Sequence, residues 1–243
     1  MISVCMATYN GERFIRDQID SIIAQLNPED ELIISDNGST DKTLKIIESY
    51  NDKRIFLINH VRDKSFLKEK SGTFKIVTQN FHNALQKAKG DYIFLADQDD
   101  IWYPTKVNKT LNYLLKYDIC MSNFSVIDEN NTIQKKIFYK KSPISNSLIK
   151  NIISSKFLGC CLAFNKKVLN KSLPFPTNLI AHDFWIGCIG SKKFKFVFID
   201  EPLVMYRRWQ SNVSATTSKS NNSFFYKIRY RLKFFSQLLN KLK

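Results

Sequence analysis

Gly90-Asp91-Tyr92-Ile93-Phe94-Leu95-Ala96-Asp97-Gln98-Asp99-Asp100 is the stretch whose reading decides the fold. Residues 91–96 form an apolar run short enough for a buried strand, and it empties into Asp97-Gln98-Asp99-Asp100. The carboxyl end of a strand in an open α/β sheet is where such folds take up ligands. Two carboxylates separated by one residue can divide work on a nucleotide there. One meets a sugar hydroxyl while the other ligates a hard divalent cation, which completes its shell with water and phosphate. An acidic cluster also serves as a helix cap, and Asp100 suits that role ahead of Pro104.

Outward from this strand the chain alternates. Upstream, strands are expected at Ile2–Ala7, Glu31–Ser35 and Arg54–Asn59. Between them, Phe14, Ile15, Ile19, Ile22, Ile23 and Leu26 mark a helix over 11–25 that Asn10 can cap, and a second helix is expected near 41–50. Residues 60–75 lack periodicity and read as a mobile loop; a helix over 77–88 is expected to end at Gly90 in a left-handed cap. Downstream come a helix from Pro104 to Tyr117, a strand at Ile119–Val126, a buried apolar segment at 157–164 and a short helix near 166–170. A helix at Phe184–Ser191 and strands at Phe194–Ile199 and Leu203–Arg207 follow. Strand–helix alternation of this kind predicts parallel βαβ units, an α/β class with a Rossmann-like, mostly parallel sheet flanked by helices.

The 243 residues carry 37 Lys and Arg against 22 Asp and Glu, a formal net charge of +15. That charge is unevenly placed: residues 1–129 sum to −3 and residues 130–243 to +18. No acid occurs between Glu129 and Asp183, and none follows Glu201. A near-neutral half joined to a basic half predicts a catalytic part next to a part facing phospholipid, lipid diphosphate or nucleic acid. Cys5, Cys120, Cys160, Cys161 and Cys188 lack metal-ligand spacing, and their odd number fits a reducing cytosol better than a disulfide framework. No secretory leader pattern and no apolar run of spanning length is expected from this sequence.

The last segment, 223–243, is basic and apolar at once. Phe224, Ile228, Leu232, Phe235, Leu239 and Leu242 recur at helical spacing, with Lys227, Arg229, Arg231, Lys233 and Lys241 around them. Such a helix either docks on its domain with a solvated basic face or lies in an anionic membrane surface, and its many aromatics and absence of acids favour the second.

Other residues carry candidate chemistry. Asp36 ends a strand at the same sheet edge as Asp97 and reads either as an Asx turn with Gly38 and Ser39 or as a contact to base or ribose. Thr8-Tyr9-Asn10 would stand beside it with an aromatic wall. Asp183 follows a long acid-free stretch, so it reads as a salt-bridge partner or as a general base. His60, His82 and His182 form no ligand spacing and read as surface or structural residues. No P-loop or GxGxxG occurs, so bound phosphates need a metal and basic side chains.

In order and spacing these segments resemble the inverting family 2 glycosyltransferases. The motifs are Ser3–Asn10, Ile34–Asp41, Gly90–Asp100, Phe157–Cys161, His182-Asp183-Phe184-Trp185 and Tyr206-Arg207-Arg208. The likeness spans nearly the whole chain and is strongest to bacterial members that extend surface polysaccharides (capsule or O-antigen), rhamnosyltransferases among them. It implies the nucleotide-sugar-binding GT-A fold over residues 1–215, with a donor half at 1–129, an acceptor half at 130–215, and a separate basic amphipathic segment at 216–243. By position, Thr8, Tyr9 and Asp36 would contact the nucleoside, and Asp97 the ribose or donor sugar. Asp99 would hold Mn²⁺ or Mg²⁺, and Asp183 would deprotonate the acceptor. Arg207 and Arg208 would neutralise the diphosphate, while Gly159, Cys160 and Trp185 would line the acceptor side. The implied donor is a UDP- or dTDP-linked sugar, and the implied acceptor is a glycan, with polyprenyl diphosphate as carrier, at the cytoplasmic face of the membrane. Asn37 and Trp209 depart from the resemblance: the first stands where an acid is usual, the second where a histidine often follows Tyr-Arg-x. A catalytically weak accessory subunit is the alternative. A nucleic-acid-binding protein ranks last, because the acidic strand ends would repel phosphates and no nucleic-acid-binding signature is present.

Overall fold

The computed structural model describes residues 1–60, 64–69, 71–154, 156–209 and 224–243. Its centre is a sheet with four neighbouring parallel strands, β3 (Ile55–Asn59), β2 (Glu31–Asp36), β1 (Ile2–Thr8) and β4 (Tyr92–Asp97). The sheet then continues through β8 (Leu162–Asn165), β6 (Ile119–Ile127), β9 (Phe196–Arg207) and β5 (Ile101–Trp102), while β7 (Ile133–Lys135) flanks β6. Only the β6–β9 pair in this second half is parallel; β8 runs antiparallel to both β4 and β6. The helices are α1 (Ile15–Ile23), α2 (Thr43–Glu48), α3 (Gly72–Lys87), α4 (Lys106–Leu114), α5 (Leu148–Ile153), α6 (Lys166–Ser172), α7 (His182–Lys193) and α8 (Phe224–Leu242).

The near-continuous apolar runs of β1, β2 and β4 follow from this layering, since helices cover both faces and leave no solvent side for polar alternation. Parallel register does the positioning. Thr8 lies opposite Asp36 and Ala7 opposite Asp97, so three strand ends open along one sheet edge.

Several local expectations change. Asn10 does not cap α1; it takes a left-handed conformation (φ 48°) and its side-chain oxygen accepts from the Thr40 N–H. Gly90 is not left-handed: a Cβ there would meet the Ser3 nitrogen at 2.6 Å, so glycine is needed for close approach to β1. α3 starts at Gly72, inside the stretch read as a loop, because Thr73, Phe74 and Lys75 blur its apolar period. A short 3₁₀ turn, Lys64–Lys68, precedes it. The two expected strands after α7 are one. Asn123 pairs with Pro202 where the register shifts, and its amide donates to Asp200, so an irregularity absorbs the polar Asp-Glu-Pro that split the pattern. The 215/216 boundary lies outside the described residues.

Helix α8 docks, but not by the expected stripe. Phe234, Leu238 and Leu242 are buried, with the Phe234 ring stacked on Phe184 at 4.2 Å and set edge-on to Trp185 at 5.8 Å. Of the expected stripe only Leu242 is buried and Phe235 half-buried; Ile228, Leu232 and Leu239 are 39%, 64% and 43% exposed. The Phe224 and Lys227 side chains lie outside the described residues. Burying Phe234 and Leu238 is worth about 1.5–3 kcal/mol each, which holds the helix to α7.

Candidate active site

A cavity of about 350 Å³ opens at the sheet edge where β1 and β4 end. Asp97 and Asp99 enter its wall from the end of β4, and Asp183 enters from the first turn of α7. Thr8 and Tyr9 complete the β1 side, fastened by Gln98. Its side-chain oxygen accepts from the Thr8 hydroxyl at 2.5 Å and the Tyr9 N–H at 2.8 Å, and its amide donates to the Tyr9 carbonyl at 3.1 Å.

The three carboxylates feel one another. Asp97 is pushed up to about 7, first by burial and then by the charges of Asp99 and Asp183. Burial lifts Asp183 to about 6, opposed by backbone N–H groups, among them that of Phe184 at 2.7 Å from Oδ1. Burial also raises Asp99, while a hydrogen bond from Trp209 opposes the rise. The described wall contains no lysine or arginine. An anionic ligand therefore meets a surface of one sign, and a divalent cation is the counter-charge this donor set fits. Asp99, with Asp97 beside it, supplies hard oxygen ligands facing the cavity. Asp97, Asp100 and Cys160 also bring ligand atoms within 4.8 Å of one another. That cluster suits a hard cation less, because burial pushes the Cys160 thiol up and keeps it protonated, and neither Cys160 nor Asp100 lines the cavity.

Other expected site residues are placed elsewhere. Asp36 is buried and absent from the cavity wall; its carboxylate accepts from the N–H groups of Gly38 and Ser39 and from the Ser39 hydroxyl, forming the Asx turn. Its neighbour Asn37 reaches the wall instead. Arg207 is fully buried behind Asp99, not in front of it. Its Nε donates to the Asp99 carbonyl at 2.7 Å, Nη1 donates to the Asp128 carbonyl and Asn131, and the guanidinium lies 4.3 Å from the Phe14 ring centre. Arg208 lies outside the wall, its guanidinium 5.7 Å from the Phe138 ring centre. Trp185 is core: its indole N–H donates to the Ser172 carbonyl and its ring meets Phe234. Cys160 is buried, with its carbonyl accepting from the Lys106 ammonium. Gly159 does line the cavity, where an added Cβ would stand 3.2 Å from His182 Nε2 and 3.4 Å from Asp183 Cβ.

Two wall residues were not legible as such. His182 stacks on Phe81 with ring centres 3.9 Å apart, and burial lowers it to about 3, so it is neutral. A lone histidine before an acid carries no spacing signal. Trp209 donates its indole N–H to Asp99 Oδ2 at 2.9 Å and meets Phe14 edge-on. The sequence marks it only as an aromatic where a histidine is usual.

The family described as "Glycosyl transferase family 2" matches residues 3–173. The dTDP-rhamnosyl transferase RfbG of Shigella flexneri is 27% identical over 218 residues, covering 85% of this chain and 70% of that protein. The Escherichia coli UDP-Glc:alpha-D-GlcNAc-diphosphoundecaprenol beta-1,3-glucosyltransferase WfgD is 25% identical over 222 residues, covering 90% and 81%. Among solved structures, S. aureus TarS 1-349 in complex with UDP-GlcNAc superposes with a TM-score of 0.69 at 16% identity, covering 99% of this chain and 70% of that one.

Proposed function

The chain belongs to glycosyl transferase family 2, and from that premise we propose that it moves one sugar, with inversion, from a nucleoside-diphosphate donor to a lipid-linked glycan. The convergence of Asp97, Asp99 and Asp183 on one cavity carries this reading. Asp183 takes the proton of the acceptor hydroxyl, which attacks the anomeric carbon opposite the nucleotide. Its raised proton affinity, near 6, suits a base working close to neutrality. Thr8 and Tyr9, held by Gln98, position the nucleoside, and Asp97 meets the ribose or the donor sugar. When bound, Mn²⁺ or Mg²⁺ at Asp99 supplies the positive charge that the departing diphosphate needs. Arg207 steadies the Asp99 backbone from behind. Gly159 and His182 flank Asp183 on the acceptor side.

A UDP- or dTDP-linked donor is supported by what RfbG, WfgD and TarS are named for, and a carrier lipid by WfgD. Exposed apolar residues support a membrane-facing surface. Ile228 and Leu232 on α8 are exposed, as are Ile149 and Ile153 on α5 at 62% and 59%, and Arg231 bridges the two helices by donating to the Ile153 carbonyl. No helix among the described residues is long and apolar enough to cross a membrane, so contact through this face would be peripheral.

Thermal unfolding with UDP or dTDP, with and without Mn²⁺, followed by product analysis with the matching nucleotide sugars, tests the proposal. Stabilisation that needs Mn²⁺, and an inverted product, are expected. Equal stabilisation in EDTA would refute the role of Asp99, and binding without transfer would favour an accessory subunit.

A further inference from the structure

A second cavity of about 280 Å³ lies between α8 and the segment leading into α7. Among the described residues its charged lining is Lys75, Arg229 and Lys233 against one acid, Glu69. Lys75 is buried and already paired with Glu69 at 2.5 Å. Arg229 and Lys233 are exposed and have no carboxylate partner among the described residues, and α8 carries no acid at all. The sign of this cavity is thus opposite to that of the first.

The two cavities share one residue. Ile180 lines both, and its carbonyl accepts from the hydroxyl of Thr78 in the first cavity's wall. From Ile180 the chain runs one way to Asn178 and Leu179 in the second cavity and the other way to His182 and Asp183 in the first. Three residues of chain span at most about 11 Å, so an anion in the second cavity stands within a short saccharide of the base. The helix divides its outer surface to match. At 100° per residue, Arg229 and Lys233 fall on the flank facing the cavity, while Ile228, Leu232 and Leu239 fall on the flank facing α5.

We propose that the second cavity is a subsite for the phosphate or diphosphate group of the acceptor, with Arg229 and Lys233 as its free cations and Lys75 as its buried floor. The proposal rests on the lipid-linked acceptor read above, and names where its anionic head is held.

The test is titration calorimetry of the full chain with inorganic diphosphate in EDTA, conditions under which the three carboxylates exclude that ion from the first cavity. Saturable one-to-one binding is expected, weakened about tenfold or more in Arg229→Glu/Lys233→Glu. The control Lys45→Glu/Lys116→Glu alters net charge equally at exposed sites elsewhere and should stay within about twofold. Absence of binding, or equal loss in both pairs, overturns the subsite. If the charge reversals loosen α8, seen as a lower melting temperature, Arg229→Gln/Lys233→Gln replaces them and must still show the loss. Farnesyl diphosphate should compete with inorganic diphosphate. Displacement by phosphatidylglycerol vesicles but not by farnesyl diphosphate would make the ligand a lipid headgroup and reject the acceptor subsite. UDP binding with Mn²⁺ should be the same in wild type and Arg229→Glu/Lys233→Glu. If UDP binds and diphosphate does not, the subsite alone falls; if neither binds, the donor reading falls too.

Discussion

The indole N–H of Trp209 donates to Oδ2 of Asp99 at 2.9 Å. A tryptophan therefore guards the carboxylate assigned to the cation, and it does so from a ring held edge-on against Phe14. Mn²⁺ bound at Asp99 would sit beside this fluorophore. Titration with Mn²⁺ should quench fluorescence in the wild type, and Trp209→Phe should lose that quenching while still binding Mn²⁺ by calorimetry. Quenching of equal size in the variant would move the cation elsewhere.

Asp183→Asn should cut the transfer rate by ~10²–10⁴-fold and leave UDP binding within about twofold, since the side chain enters the cavity from α7 whereas Thr8 and Tyr9 enter from the end of β1. In the wild type, kcat should rise with pH through about 6 as Asp183 loses its proton. A flat profile between pH 5 and 8 would remove Asp183 as the base.

The same carboxyl links pH to stability. Its folded value, about 6, lies above the ordinary 3.8, so the folded chain holds this proton more tightly than the unfolded chain. The resulting penalty is absent below about pH 4, grows as pH rises through 4–6, and is complete above it. Asp183→Asn should accordingly be more stable than wild type at pH 7.5, by about 1–3 kcal/mol, with the gap closing near pH 4. Urea unfolding at both pH values measures this.

Gly159→Ala should damage catalysis more than folding. Its Cβ would press on His182 Nε2 at 3.2 Å and touch Asp183 Cβ at 3.4 Å, so the imidazole next to the base must give by a few tenths of an ångström. A misplaced reacting group typically costs far more in rate than in stability. We expect at least a ~10-fold fall in kcat with a melting temperature within about 4 °C of wild type.

Removing α8 would uncover Phe184 and Trp185, so point changes are the informative test of the membrane face. Ile153→Glu with Leu232→Glu should weaken sedimentation with phosphatidylglycerol vesicles about tenfold or more, without changing UDP binding. Unchanged sedimentation would discard that surface.

Much of this architecture could be read from pattern. The apolar runs ending in Thr8, Asp36 and Asp97 have the length and composition of parallel strands, and parallel register alone brings their ends to one edge. Asp99 and Asp183 were legible from the motifs that carry the family likeness, and the cavity contains both. What escaped depends on distant pairing. Arg207 looks like a phosphate ligand from its place at the end of a strand, yet Asp99, Asp128 and Asn131, all far away in sequence, absorb its donors. Trp185 sits two residues after Asp183, and the helical turn directs it into the core. The amphipathic period of α8 was real, but a helix with apolar residues on more than one flank does not announce which of them docks.

The pairing of Ala7 with Asp97 has a further consequence for how this chain can vary. Side chains alternate faces along β4, so inserting or deleting one residue between Tyr92 and Ala96 would turn the carboxylate of Asp97 into the helical layer. Length changes in connections remote from this edge carry no such penalty. Among natural or engineered variants, gaps should therefore collect around residues 60–70 and 140–147 and be missing from the interior of β4.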